Sequence, residues 1–180
     1  MRIVIITSSP HKRGTSALLA EEFARGAGEA GHDVFRFDAA FEKISPCLGC
    51  DRCGPGRAAC VQKDSMEKLN PHLLEADAVV FVTPLYYFGM SAQLKMVIDR
   101  FYANNYQLMG SGKKAILLAT SYDANNWTMQ ALTAHYVTLL KYLKWNDAGA
   151  LLAMGCGSRS DIERTDYPAK AYLLGKALEA

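Results

Sequence analysis

Four cysteines, Cys47, Cys50, Cys53 and Cys60, fall within fourteen residues at the spacing Cys-x2-Cys-x2-Cys-x6-Cys. Thiolates are soft ligands, and three at two-residue intervals wrap around an iron-sulfur cluster, with the fourth completing the coordination. A four-thiolate zinc site and a set of free or redox-active thiols are the other chemistries this pattern admits. A second group is the run Thr7-Ser8-Ser9-Pro10-His11-Lys12-Arg13-Gly14-Thr15-Ser16, in which hydroxyls, cations and a glycine lead directly into a helical stretch. Free amides and the dipole at a helix N-terminus favour an anion, so this run suits a phosphate. Neither GxGxxG nor GxxxxGK[ST] is present, and a phosphate held by hydroxyls and amides points to a mononucleotide. The bland alternative, Thr15 or Ser16 as a simple N-cap with Lys12 and Arg13 solvated, stays open on this run alone. The third group is Thr83-Pro84-Leu85-Tyr86-Tyr87-Phe88-Gly89, whose consecutive aromatics form a shelf for an apolar planar ring or else an interface patch.

The remaining reactive residue types are scattered. His11, His32, His72 and His135 are too far apart for metal-ligand spacing, and only His11 falls in a proposed site. Cys156 stands alone and reads as a small buried or loop residue. Asp64 is placed to cap the helix that follows it. Asp99-Arg100 reads as a structural ion pair on a helix, and Trp127 and Trp145 as core or interface anchors.

These groups must be held by the elements around them. Five short apolar runs, Arg2 to Thr7, Asp33 to Phe37, Ala78 to Thr83, Lys114 to Ser121 and Ala148 to Met154, read as strands. Most are nearly uninterrupted, as strands covered by helices on both faces are, whereas half-exposed antiparallel strands alternate. Between them the sequence predicts helices over Thr15 to Ala30, Ser65 to Glu75 with Pro71 inside, Ser91 to Asn104, Asn126 to Lys144, and Asp161 to Leu178. The β-then-α alternation implies a doubly wound parallel sheet, with ligand loops at the carboxyl ends of the strands. Those loops are Thr7 to Thr15, Asp38 to Asp64, Thr83 to Met90, Ser121 to Trp127 and Gly155 to Ser160. The second is too long for a bare connector and reads as a functional insertion.

The 180 residues fit one domain, 1–180, with the cysteine-containing insertion at about 38–64. Twenty Lys and Arg against eighteen Asp and Glu leave a net charge of +2, too small and too scattered for a nucleic-acid or membrane surface. The start lacks the long apolar region of a signal peptide, and no run approaches the length of a membrane helix. A cytoplasmic protein with reduced thiols is expected.

In its Ser9-Pro10 loop with Gly14-Thr15-Ser16, and its Pro84-Leu85-Tyr86 loop followed by Lys95 and Asp99-Arg100, the chain resembles the NADPH-dependent FMN reductase group of the flavodoxin-like superfamily. The resemblance implies a three-layer α/β/α sandwich, a five-stranded parallel sheet in the order 2-1-3-4-5, and FMN between the first and third strands. It further implies that Ser9, Lys12, Gly14, Thr15 and Ser16 surround the FMN phosphate. Pro84, Leu85, Tyr86, Tyr87, Phe88 and Gly89 would line the ring, and Ser121 and Tyr122 would approach its other side. Ser8 and Thr15 depart from the group's common Gly and Asn. The implied activity is transfer of electrons from NAD(P)H to a flavin, quinone or other small acceptor, in a homodimer or homotetramer. The four-cysteine run is similar to that of iron-sulfur flavoproteins, a branch that would carry a 4Fe-4S cluster and receive electrons from ferredoxin. A flavodoxin-type electron carrier is a further alternative, although such carriers resemble strongly acidic proteins. No catalytic side chain is nominated, because the flavin supplies the chemistry.

Overall fold

The computed structural model describes residues 1–54 and 59–179. In chain order the elements are β1 (Arg2–Thr7), α1 (Thr15–Glu29), β2 (Asp33–Asp38), α2 (Met66–Glu75), β3 (Ala78–Tyr86), β4 (Gly89–Met90) and α3 (Ala92–Arg100). There follow α4 (Asn105–Leu108), β5 (Lys114–Thr120), α5 (Gln130–Leu143), β6 (Asn146–Ala153), α6 (Arg159–Glu163) and α7 (Tyr167–Lys176). The five predicted strands form one parallel sheet in the order β2-β1-β3-β5-β6, which is the order 2-1-3-4-5 of the expected fold. A sixth strand, not foreseen, is the two-residue β4, which turns back antiparallel on the end of β3.

The near-continuous apolar runs follow from the layering. Successive strand side chains point to opposite faces, so both parities must be apolar when both faces are covered. Val4, Ile6, Val79, Phe81 and Leu117 pack under α2, α3 and α5. Ile3, Ile5, Val80, Val82 and Leu118 pack under α1 and α7. α1 and α7 approach so closely that a Cβ on Gly26 would lie 2.1 Å from the Tyr172 carbonyl, and one on Gly175 would lie 2.2 Å from that of Phe23.

Helix boundaries depart from the sequence expectation where local chemistry intervenes. The predicted Asp161 to Leu178 helix is two helices, since Pro168 is accepted in the first turn of α7 but cannot continue a helix from before it. α6 has its own capping box between Ser158 and Asp161. The predicted Ser91 to Asn104 helix ends as α3 at Arg100 and tightens into a 3-10 turn over Phe101–Asn104 before α4. α5 starts at Gln130 rather than Asn126, because Asp123 gathers the preceding residues into a turn: its carboxylate accepts from Asn125 Nδ2 at 2.6 Å and from Thr128 Oγ1 at 2.5 Å. Among the described residues no helix is long and apolar enough to cross a membrane.

Candidate functional site

The loops after β1, β3, β5 and β6 meet at the carboxyl end of the sheet around a cleft of about 650 Å³. Its first wall is the turn between β1 and α1. Ser8 is fully buried and its hydroxyl donates to the Val82 carbonyl at 2.9 Å, which gives the serine at this position a structural use. Ser91 donates from Oγ to the Ser8 carbonyl at 3.4 Å and from its backbone N–H to Thr83 Oγ1 at 3.0 Å. These bonds fasten the first loop to the third. Within the turn Ser9 Oγ accepts from the His11 amide at 3.1 Å, and the Gly14 amide donates to the His11 carbonyl at 3.0 Å.

The N-cap of α1 is Gly14, and no side chain caps the helix. Thr15 and Ser16 therefore do not act as the N-cap; Thr15 instead donates from Oγ1 to Thr120 Oγ1 at 2.9 Å. Gly14 faces the cleft beside Ser9, Lys12 and Thr15, so the first-turn amides and their dipole open toward it. A Cβ at Gly14 would meet His11 Cβ at 3.1 Å, tighter than most real contacts. Ser16 is buried one residue further into the helix and does not line the cleft.

The second wall is Pro84, Leu85 and Tyr86. The chain then reverses through Tyr87 and Phe88, with φ of 46° and 62°, while Leu85 pairs with Met90 and Tyr86 with Gly89. Two consecutive positive φ values are the geometry of a type I′ hairpin, a place normally held by Asn and Gly. Bulky residues there store about 1–3 kcal/mol of strain each. Tyr87 is fully exposed, Phe88 stacks obliquely on Trp127 with ring centroids 5.0 Å apart, and Tyr87, Phe88 and Gly89 lie outside the cleft's lining.

Ser121 and Tyr122 form the opposite side. Ser121 is tied to the β6 loop, donating its amide to the Ala153 carbonyl at 2.9 Å and accepting at its own carbonyl from the Cys156 amide at 2.8 Å. The Tyr122 ring lies against Gly157, where a Cβ would come within 2.4 Å of it. Thr120, Cys156, Gly157, Ser158 and Arg159 also line the cleft and were not singled out from sequence as binding residues. Their loop, Gly155 to Ser160, is one of the ligand loops expected at the carboxyl ends of the strands, but a glycine that works by absence of a side chain leaves no chemical signature. Burial, reinforced by Asp161, pushes the Cys156 thiol up.

The cysteine run lies apart from this cleft. Cys47 and Cys50 are exposed, Cys53 and Cys60 half-buried, and all four border one narrow pocket of about 20 Å³ together with Asp51 and Tyr102. Tyr102 donates its hydroxyl to Asp51 Oδ1 at 2.5 Å. Burial, followed by the proximity of Cys60, Cys47 and Cys50, pushes the Cys53 thiol up. Among the described residues no three His, Cys, Asp or Glu side chains converge tightly enough to hold a single metal ion. Residues 55–58 of the predicted insertion lie outside the described residues.

The base of the loop is closed by a buried ion pair. Arg100 Nη1 stands 2.6 Å from Asp64 Oδ2 and also donates to the Ser45 carbonyl at 2.8 Å, with both charged side chains almost wholly buried. Asp64 accepts from the Met66 amide at 3.1 Å and from the Ser45 amide at 3.0 Å; the N-cap of α2 is Ser65, with no side-chain cap, so the expected capping by Asp64 is reduced to this contact with the first helical amide. Burial alone would raise this carboxyl, but the Arg100 guanidinium and the two amides outweigh it and hold it below the usual carboxylate range. The expected ion pair within α3 is corrected in one respect: Asp99 pairs with Lys95, and Arg100 reaches across to Asp64.

A family model described as NADPH-dependent FMN reductase matches residues 1–158. An iron-sulfur flavoprotein of Archaeoglobus fulgidus is 34% identical over 100 residues, 56% of this chain and 45% of that protein. An iron-sulfur flavoprotein of Methanocaldococcus jannaschii is 33% identical over 129 residues, 69% of this chain and 64% of that protein. The chain thus spans about half to two thirds of the length of these relatives. Among solved structures, an NAD(P)H:quinone oxidoreductase from Methanothermobacter marburgensis superposes with a TM-score of 0.78 at 19% identity, covering 99% of this chain and 96% of that one. An azoreductase from Bacillus anthracis gives 0.72 at 20% identity, covering 99% of this chain and all of that one. These likenesses establish a flavodoxin-like fold.

Proposed function

Because the chain belongs to the NADPH-dependent FMN reductase family, we propose that its sheet-end cleft holds FMN and serves an oxidoreductase that passes electrons from NAD(P)H to a flavin, quinone or other small acceptor. The observation that carries this reading is the uncapped start of α1 at Gly14, opening into a cleft whose far walls are Pro84–Tyr86 and Ser121–Tyr122.

The residues present fit the group. Amides of the first turn of α1, with the hydroxyls of Ser9 and Thr15 and the Lys12 ammonium, match a phosphate dianion. Ser16, buried behind them, would contribute through its amide. Pro84, Leu85 and Tyr86 offer an apolar bed for the ring on one side, and Tyr122, resting on Gly157, bounds it on the other. Tyr87, Phe88 and Gly89 form the outer rim and, with Trp127, an exposed aromatic surface suited to a second copy of the chain in a homodimer or homotetramer. When bound, FMN supplies hydride-accepting and electron-passing chemistry. The chain's own work is to bind, orient and exclude water, and no acid or base side chain is assigned to it. The test is anaerobic addition of NADH or NADPH to FMN-loaded protein. Loss of flavin absorbance within the mixing experiment supports the reading, and a flavin left oxidised by both donors refutes it.

A second reading is favoured by one observation, that all four cysteines border a single pocket. The donor set suits a 4Fe-4S cluster, which spreads its four thiolates over four irons and does not need them to meet at one ion. Cys47, Cys50, Cys53 and Cys60 would hold it, with a ferredoxin as electron donor. Iron and acid-labile sulfide measured on anaerobically prepared protein decide this, about four of each per chain supporting it and neither refuting it.

A further inference from the structure

One short segment, the end of α3 and the turn after it, grips the cysteine loop at both flanks and in its middle. Arg100 donates from Nη1 to the Ser45 carbonyl at 2.8 Å, two residues before Cys47, and from Nη2 to the Gln62 carbonyl at 3.5 Å, two residues after Cys60. Asp64 accepts from Nη1 at 2.6 Å and from Nη2 at 3.2 Å, so one guanidinium joins the two sides of the loop's neck. Two residues further on, Tyr102 donates to Asp51, which stands between Cys50 and Cys53.

Closing the loop takes no more than these bonds, yet Arg100 has a nitrogen to spare. Its side chain is 3% exposed, and Nε is buried without an acceptor among the described residues. The Cys60 thiol neighbours the same guanidinium: burial works against the charge on Arg100, but Asp64 and after it Cys60, through hydrogen bonding and charge, hold the guanidinium above its ordinary value. Asp64 occupies Nη1 and Nη2, which leaves the remaining N–H for the sulfur. The potential of an iron-sulfur cluster depends on the charge around it and on hydrogen bonds to its sulfurs. Reduction adds one electron, and a fixed cation at a ligand sulfur stabilises the more negative form.

We propose that Arg100 is a positioning residue for the cysteine site, fixing the separation of Cys47 from Cys60 and setting its spare N–H and positive charge against the Cys60 sulfur. The cluster then forms on a loop already closed, and accepts its electron from the ferredoxin donor at a higher potential. This rests on the cluster reading and deepens it.

The test uses the chain prepared anaerobically with its cluster, in the parent form and with Arg100→Met combined with Asp64→Leu. Exchanging a buried ion pair for apolar side chains of similar volume leaves no unpaired charge behind. The readouts are the midpoint potential of the cluster, followed by its paramagnetic resonance signal, and the rate at which a chelator withdraws iron. The double variant is expected to lose iron about tenfold faster and to shift the reduced-to-oxidised ratio at a fixed potential about tenfold toward the oxidised form, about 59 mV for one electron. Arg100→Lys keeps the charge but cannot reach Ser45, Asp64 and Cys60 with one nitrogen, so its ratio should move the same way by about threefold. That single variant decides the matter where the double variant fails to fold or to keep its cluster. An unchanged potential overturns the inference even if iron leaves faster, because a purely structural clamp changes release alone, and the cluster reading then stands. A parent chain that holds neither iron nor sulfide overturns both.

Discussion

The two regions that could do chemistry are built in opposite ways. The sheet-end cleft is held by several neutral, buried or part-buried hydrogen bonds between adjacent loops, from Ser8 to Val82, Ser91 to Thr83 and Thr15 to Thr120. The cysteine loop leaves Cys47 and Cys50 exposed and is fastened at its base through one buried ion pair, Arg100 with Asp64, and the bonds those two side chains make to the backbone of Ser45 and Gln62. The first region spreads its stability over several contacts of about 0.5–1.5 kcal/mol each, so no single loss disorders it. The second concentrates it, because a buried charge without its partner costs about 3–5 kcal/mol.

The contrast makes Arg100→Ala the most damaging change. It should lower unfolding free energy by about 3–5 kcal/mol in urea denaturation, and a loss under 1 kcal/mol would show that the pair is not the anchor. Acid should act on the same pair. The Asp64 carboxyl is held low in the folded chain, so its stabilisation is complete above the usual carboxylate range and is lost as pH falls through the lowered value. Acid titration of stability for the parent chain and for Arg100→Ala checks this, the variant showing a shallower loss.

In the other region single changes should be milder. Gly157→Ala forces the Tyr122 ring to move and is expected to weaken FMN binding about tenfold, about 1.4 kcal/mol, with unfolding midpoint unchanged. Ser8→Ala removes one buried donor and should cost about 1 kcal/mol of stability with FMN affinity nearly retained. The smallest effect, and of opposite sign, is expected of Tyr87→Gly. It relieves a left-handed backbone and should raise stability by up to about 1 kcal/mol while loosening any association of subunits, read by sedimentation.

The same contrast explains what the sequence disclosed. The strands were readable because runs such as Val79 to Val82 are apolar at every position, a pattern that two-sided burial imposes, whereas their order followed only from the family resemblance. The clustering of the turn proposed to hold a phosphate was readable because hydroxyls, cations and glycine must precede a helix in sequence to meet at its start. The Arg100–Asp64 pair was not, since its partners are 36 residues apart and each has a plausible local role, of which Asp64 keeps only a contact with the first amide of α2. Thr120 and Gly157 escaped notice for a related reason. One contributes a hydroxyl at the end of an apolar strand and the other only the lack of a side chain.

Titration of FMN into flavin-free protein, followed by quenching of flavin fluorescence, decides whether the wired cleft is a flavin site. Saturation at one FMN per chain, weakened at least tenfold by Ser9→Ala combined with Thr15→Ala, is the predicted result. Fluorescence that stays unquenched at excess protein, or binding that the double variant leaves unchanged, would contradict it.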